Sequence, residues 1–190
     1  AFKKDSDEEI FSIMREKGLM HIPIIDDNGY VTGLQTIRNF LELTRHDIPI
    51  FLMAGGLGTR LRPLTDHLPK ALLKIGDKPI LEKIIEQFKL AGFHDFYISL
   101  NYKAEMIREH FGDGNKWGIS IKYIQEEEPL GTAGALGLLP KNLPNLPIIV
   151  MNCDLLTKIN FGHLLDFHLD QGSDATMCVR EYDFQIPFGV

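Results

Sequence analysis

The chain is poor in the residues that would announce several common chemistries. Only two of its 190 residues are cysteine, Cys153 and Cys178, and they form no Cys-x-x-Cys pair. That excludes a disulfide framework, offers no zinc-ligand spacing and points to a reducing cytoplasm. The histidines contain no His-Glu-x-x-His pattern. Basic residues are outnumbered, 20 Lys and Arg against 26 Asp and Glu, for a formal charge of -6. This argues against a nucleic-acid partner, whose backbone needs clustered cations. One small phosphorylated ligand needs only a few. No apolar run approaches the ~20 residues of a membrane helix, and no signal-peptide pattern opens the chain, so no membrane partner is expected. What is present is 44% hydrophobic residues, enough for a sizeable core. The first residue, Ala1, lies in a polar stretch, as expected for a piece of a longer protein.

Two unequal parts follow, 1–46 and 47–190. In the first, Ser6-Asp7-Glu8-Glu9 reads as a capping box ahead of Ile10, Ile13 and Met14 at helical spacing, with Gly18 as the stop. His21 to Ile25 and Tyr30 to Leu34 read as strands around an Asp-Asp-Asn-Gly turn, and about Gln35 to Leu43 as a closing helix. From Asp47 onward, strands alternate with helices. Strands are expected at Ile48–Met53, Phe96–Leu100, Ile119–Gln125, Pro147–Met151 and Ala175–Val179. Helices are expected at Pro79–Leu90, Lys103–His110, Thr132–Leu139 and Phe161–Leu169, with Pro79 in a first turn. Such alternation predicts an α/β fold with a doubly wound, mostly parallel Rossmann-like sheet, whose ligand site lies at the strands' carboxyl ends.

The densest chemistry lies in Met53-Ala54-Gly55-Gly56-Leu57-Gly58-Thr59-Arg60-Leu61-Arg62-Pro63-Leu64-Thr65, followed by Pro69-Lys70-Ala71-Leu72-Leu73. A buried strand delivers its end into three glycines, which tolerate positive φ and let backbone amides turn toward an anion. Arg60 and Lys70 are then placed to neutralise a triphosphate. A Walker loop would need Gly-Lys-Ser/Thr, which is absent. A dinucleotide fingerprint would need glycine where Leu61 stands, which removes a dehydrogenase reading. Asp154, after the apolar run Ile148–Met151, reads either as a turn residue or as a hard oxygen ligand for Mg²⁺.

The string at 55–65 and 69–70 resembles the signature of the sugar-1-phosphate nucleotidyltransferases, the nucleoside-diphospho-sugar pyrophosphorylases. The resemblance continues through Lys78–Leu81, Glu128-Pro129-Leu130-Gly131-Thr132-Ala133-Gly134 and Asn152-Cys153-Asp154. It implies transfer of a nucleotidyl group from an NTP to a sugar 1-phosphate, with release of pyrophosphate. By resemblance, Met53, Ala54, Gly55, Gly56, Gly58 and Thr59 wrap the phosphates, Arg60 and Lys70 serve catalysis, and Asp154 binds Mg²⁺. Gly131 and Thr132 would lie near base and ribose, and Gly189 beside the sugar. Glu126 stands where uridylyl and thymidylyl members carry a base-reading glutamine. A carboxylate only accepts hydrogen bonds, and guanine offers N1–H and N2–H₂ along one edge, so GTP is favoured. Gln125 is adjacent, and a one-residue slip would exchange the two. The family's further sugar-site and metal-ligand segments would fall after Val190.

Residues 6–43 resemble the second part of a CBS motif through Met20–Asp26, Gly29 and Gly33-Leu34-Gln35-Thr36. Ligand-binding members carry an aspartate for the ribose three residues after the threonine; here Asn39 stands there, so a structural or dimerising role is at least as well supported as nucleotide sensing. CBS modules fused ahead of the transferase are also seen in some guanylyltransferases. Both modules often assemble, so a homo-oligomer is compatible with the resemblance, although the sequence does not give the oligomeric state. The competing readings are a uridylyl-, thymidylyl- or cytidylyltransferase, and a non-catalytic nucleotide sensor.

Overall fold

A computed structural model describes residues 1–37, 40, 45–131 and 133–183. They fall into two compact units, Ala1–Lys158 and Ile159–Val190. The chain opens with α1 (Asp7–Glu16), and the predicted capping box is formed: the Ser6 hydroxyl accepts from the Glu9 amide while Glu9 accepts from the Ser6 amide. The antiparallel pair β1 (His21–Ile25) and β2 (Val31–Thr36) follows. Ile10, Met14, Ile22 and Phe40 close a small core of their own. β2 runs through Thr36, two residues past the expected strand end. Ile37 and Phe40 are helical, and the rest of the expected helix, residues 38, 39 and 41–44, lies outside the described residues.

The main sheet is parallel throughout, in the order β7-β6-β3-β8. Its strands are β3 (Ile50–Met53), β6 (Asp95–Leu100), β7 (Ser120–Gln125) and β8 (Ile149–Asn152). The chain builds outward from β3 to β6 and β7, then returns to place β8 on β3's other side. A reversal of this kind opens a crevice at the carboxyl ends. β3 is apolar because it is central: Ile50, Phe51 and Leu52 are fully buried, on both faces of the sheet.

Between β3 and β6 lie a two-residue hairpin, β4 (Lys74–Ile75) with β5 (Lys78–Pro79), and α2 (Ile80–Leu90). Ile80, Leu81, Ile84, Ile85 and Phe88 form the buried stripe of α2, and Pro79 is its cap rather than part of its first turn. Phe88 meets Phe96 edge-on at 6.1 Å, so α2 covers the face that carries Ile50, Leu52, Phe96 and Ile98. On the opposite face Phe51 and Tyr97 pack with Ala135. α3 (Ala104–Phe111) precedes β7. In the second unit α4 (Phe161–Gln171) is capped by Asn160, whose side chain accepts from the His163 amide, and stops at left-handed Gly172.

Two expected elements take another form. The helix at Thr132–Leu139 is a 3₁₀ turn over Gly134–Leu138, because Gly131 and Ala133 sit at φ of 71° and 65°, outside the helical region. No strand forms at Ala175–Val179. Met177 and Val179 are 81% and 80% exposed, and only Thr176 is half-buried, against His168, so no ladder partner holds the segment extended.

Phe88→Ala empties a fully buried site shared by α2 and the sheet. It is expected to lower stability by about 3–5 kcal/mol, read as a shifted urea midpoint at unchanged slope.

Candidate active site

Register brings the site together. Met53 pairs with Asn152 on one side and Ser99 on the other, so the segments after β3 and β8 leave the sheet side by side. The ladder extends one step further, with the Ala54 amide donating to Ser99 O and the Cys153 amide to Met53 O. Above these ends lies a cleft of about 650 Å³. Met53, Ala54, Gly55, Gly56, Gly58 and Thr59 form one wall. Arg60 and Lys70 reach it from the chain after β3, Asp154 from the turn after β8, and Glu126 with Gly131 from the segment after β7. Thr132 and Gly189 lie outside the described residues. Leu57, Leu61, Pro129, Asn152 and Cys153 line it as well; they lie inside the motifs quoted above but carried no assigned role, and Ala135, also in the lining, lay outside those motifs.

The three glycines differ in what they supply. Gly58 has φ +64°, and a Cβ there would lie 2.9 Å from Thr65 Cγ2, so both backbone and space require glycine. Gly55 has no unusual φ, yet a Cβ on it would lie 2.5 Å from Glu126 Oε1. It is glycine because a carboxylate occupies the place of its side chain. A Cβ at Gly56 would meet nothing within 4 Å.

After Gly58 the chain makes a 3₁₀ turn, Thr59–Leu61, which leaves Arg60 exposed on the cleft. Arg62 instead pairs with Asp66 at 3.5 Å, four residues on. Lys70 starts a second 3₁₀ turn, fixed from beneath by buried Ala71 and Leu72. Its ammonium donates to Asp154 Oδ2, an ion pair between residues 84 positions apart. Both side chains remain about one-third exposed, at 35% and 33%, so they stay within reach of a ligand.

Glu126, not Gln125, faces the cleft. Gln125 is exposed and its Oε1 accepts from Arg108 at 3.1 Å. Glu126 is 6% exposed; its amide donates to Leu100 O, its carbonyl accepts from Asn101 Nδ2 at 2.9 Å, and its carboxylate has no hydrogen-bond partner among the described residues. Lining the cleft, that carboxylate offers only acceptors and is open to a ligand that brings donors.

Burial pushes the Cys153 thiol up to about 12, and the adjacent Asp154 charge adds to that. The thiolate is the nucleophile, so Cys153 stays unreactive at pH 8 although it borders the cleft. Alkylation mapped by mass spectrometry at that pH is expected at exposed Cys178, and at Cys153 only after unfolding.

Among the described residues no helix is long and apolar enough to cross a membrane. The nucleotidyl transferase family profile matches residues 50–190. The chain is 41% identical over 142 residues to a mannose-1-phosphate guanyltransferase of Pichia angusta, covering 73% of this chain and 39% of that protein. It is 35% identical over 135 residues to the mannose-1-phosphate guanylyltransferase of Mycobacterium tuberculosis, covering 71% and 38%. The chain therefore spans about two fifths of the length of these curated relatives. HddC from Yersinia pseudotuberculosis, solved with GMP-PN, superposes with a TM-score of 0.58 at 32% identity, covering 65% of this chain and 55% of that one. A UDP-glucose pyrophosphorylase, at 20% identity and a TM-score of 0.55 over 66% and 54%, shares the fold. With a parallel sheet reversing at β3, a glycine loop at its end and a profile match over most of its length, the chain belongs to the nucleotidyl transferase family.

Proposed function

We propose that the complete protein transfers a guanylyl group from GTP to a sugar 1-phosphate, releasing pyrophosphate. The observation that carries the choice of base is Glu126, a buried carboxylate against Gly55 with no donor among the described residues. Guanine presents N1–H and N2–H₂ to such an acceptor; uracil and thymine present one N3–H flanked by two carbonyls, which a carboxylate repels. Relatives named as guanylyltransferases, and the GMP-PN complex of HddC, support this reading. Their substrate makes mannose 1-phosphate the first sugar to test.

In this reading the amides from Ala54 to Thr59 hold the triphosphate, and the open space over Gly56 lets it approach the backbone. A sugar-phosphate oxygen attacks the α-phosphorus in line, the bond to the β-phosphate oxygen breaks, and pyrophosphate leaves. No covalent enzyme intermediate is needed; catalysis is positioning and charge stabilisation. Arg60 neutralises the departing pyrophosphate. Lys70 exchanges Asp154 for the α-phosphate and the incoming phosphate. Asp154 suits Mg²⁺, an oxygen-seeking ion commonly held by one or two carboxylates with phosphates and water. Bound there, Mg²⁺ would supply positive charge against the reacting phosphates. The family resemblance assigns Gly131 and Thr132 to base and ribose, and Gly189 to the sugar.

Residues 1–46 form the CBS-like unit in this assignment, supported by the α1-β1-β2 order and its own small core. The two free thiols fit a reducing cytoplasm.

Full-length protein incubated with Mg²⁺, a panel of NTPs and sugar 1-phosphates is expected to release pyrophosphate with GTP. Release only with UTP or dTTP would overturn the base assignment and keep the transferase; tight nucleotide binding without release from any pair would establish a sensor. Lys70→Ala and Asp154→Ala are each expected to cut kcat by about a hundredfold or more with little change in melting temperature. Gly55→Ala, which drives a methyl into Glu126, should raise the KM for GTP more than it lowers kcat.

A further inference from the structure

Three consecutive residues that line none of the cleft reach both of its walls. Asn101, Tyr102 and Lys103 connect β6 to α3. Asn101 Nδ2 donates to the Glu126 carbonyl at 2.9 Å. The Tyr102 hydroxyl donates to the Thr65 carbonyl at 3.4 Å, and Lys103 Nζ donates to the Asp66 carbonyl at 2.5 Å. The first contact holds the segment after β7. The other two hold the far end of the glycine loop, on the opposite side of β6.

What they hold bears directly on the site. Thr65 is 2% exposed, and its hydroxyl donates to the Gly58 carbonyl at 2.9 Å. That carbonyl also accepts the Leu61 amide, closing the 3₁₀ turn that carries Arg60. The Thr65 methyl fills the space beside left-handed Gly58. Tyr102 and Lys103 therefore act on Gly58 and Arg60 through Thr65 and Asp66. Lys103 itself adopts φ +51°, a left-handed conformation uncommon for a side chain of this kind, and its ammonium lies 5.1 Å from the Tyr102 ring centre. A backbone held there by its surroundings fits a constrained element better than a passive connection.

We propose that Asn101-Tyr102-Lys103 is a positioning brace that fixes the span between the base-reading carboxylate of Glu126 and the phosphate loop at Gly58–Arg60. This deepens the guanylyltransferase reading and rests on it for the role of Glu126. A triphosphate and a base are joined by a ribose of fixed reach, so both walls must stand at one separation to be contacted together. Loss of Asn101 frees the base wall; loss of the Tyr102 and Lys103 donors frees the phosphate wall.

The test uses the full-length protein with GTP and ITP, which differ only in the 2-amino group that a carboxylate reads. Asn101→Ala is expected to shrink the GTP-over-ITP ratio of kcat/KM on the order of tenfold, the effect of one misplaced hydrogen bond to a charged group. Asn101→Asp, which loses the donor and keeps the shape, serves where Asn101→Ala does not fold. The double variant Tyr102→Phe with Lys103→Met is expected to raise the KM for both nucleotides about tenfold and leave their ratio unchanged. Lys103→Arg, which keeps a long donor, should recover most of the affinity that Lys103→Met loses. Wild-type ratios and KM values in these variants would overturn the brace, as would a loss of melting temperature with no kinetic change. A wild type that does not distinguish GTP from ITP sinks the reading of Glu126 instead. The double variant's KM for whichever nucleotide is accepted then decides the brace alone.

Discussion

The parallel pairing of Ile50–Met53 with strands on both sides is the constraint from which the site follows. Because the register matches Met53 with Asn152 and with Ser99, three chain segments leave the sheet at one level and in one direction. The glycine loop, the Cys153-Asp154 segment and the Asn101-Tyr102-Lys103 connection are all consequences of that alignment. The fourth strand extends it. Leu100 pairs with Gln125, so Glu126 emerges one residue later and turns its carboxylate across β6 onto Gly55. A one-residue slip at β7 would put Gln125 in that place. The apolar alternation of β7 opposes such a slip, since it would exchange every inward and outward side chain.

The register at β7 is not a local property of the chain. The strands at 50–53, 95–100 and 120–125, the helices at 7–16, 80–90 and 104–111, and the glycine loop were legible because periodicity and caps are local properties. So were Arg60, Lys70 and Asp154, which the fold gathers onto one cleft. The motif spacing favoured Glu126 over Gln125, but only strand pairing fixes which one points inward. The 3₁₀ turn at Gly134–Leu138 was hidden for a related reason. Its apolar spacing is helical, but left-handed Gly131 and Ala133 prevent a regular start. The expected strand at 175–179 failed because β propensity needs a partner and a buried face, and neither is visible in five residues.

The glycine loop also shows why a motif read as one unit divides into different physical demands. Gly58 answers to backbone conformation, Gly55 to a neighbouring carboxylate, and Gly56 to neither. Only the second could not have been inferred from the loop, because its cause lies 71 residues away at Glu126. The reach of Lys70 is similar: two buried neighbours set its backbone, and a residue from another strand receives its charge.

The Lys70–Asp154 pair has an effect on how an anion arrives, separate from how it reacts. Opposite charges held in contact cancel at a distance, so the approaching polyanion feels mainly Arg60 until it is close. Removing the lysine exposes a bare carboxylate and should slow encounter; removing the aspartate uncovers a second cation and should hasten it. The two substitutions thus push diffusional capture of an anion in opposite directions, and salt would erase that difference first.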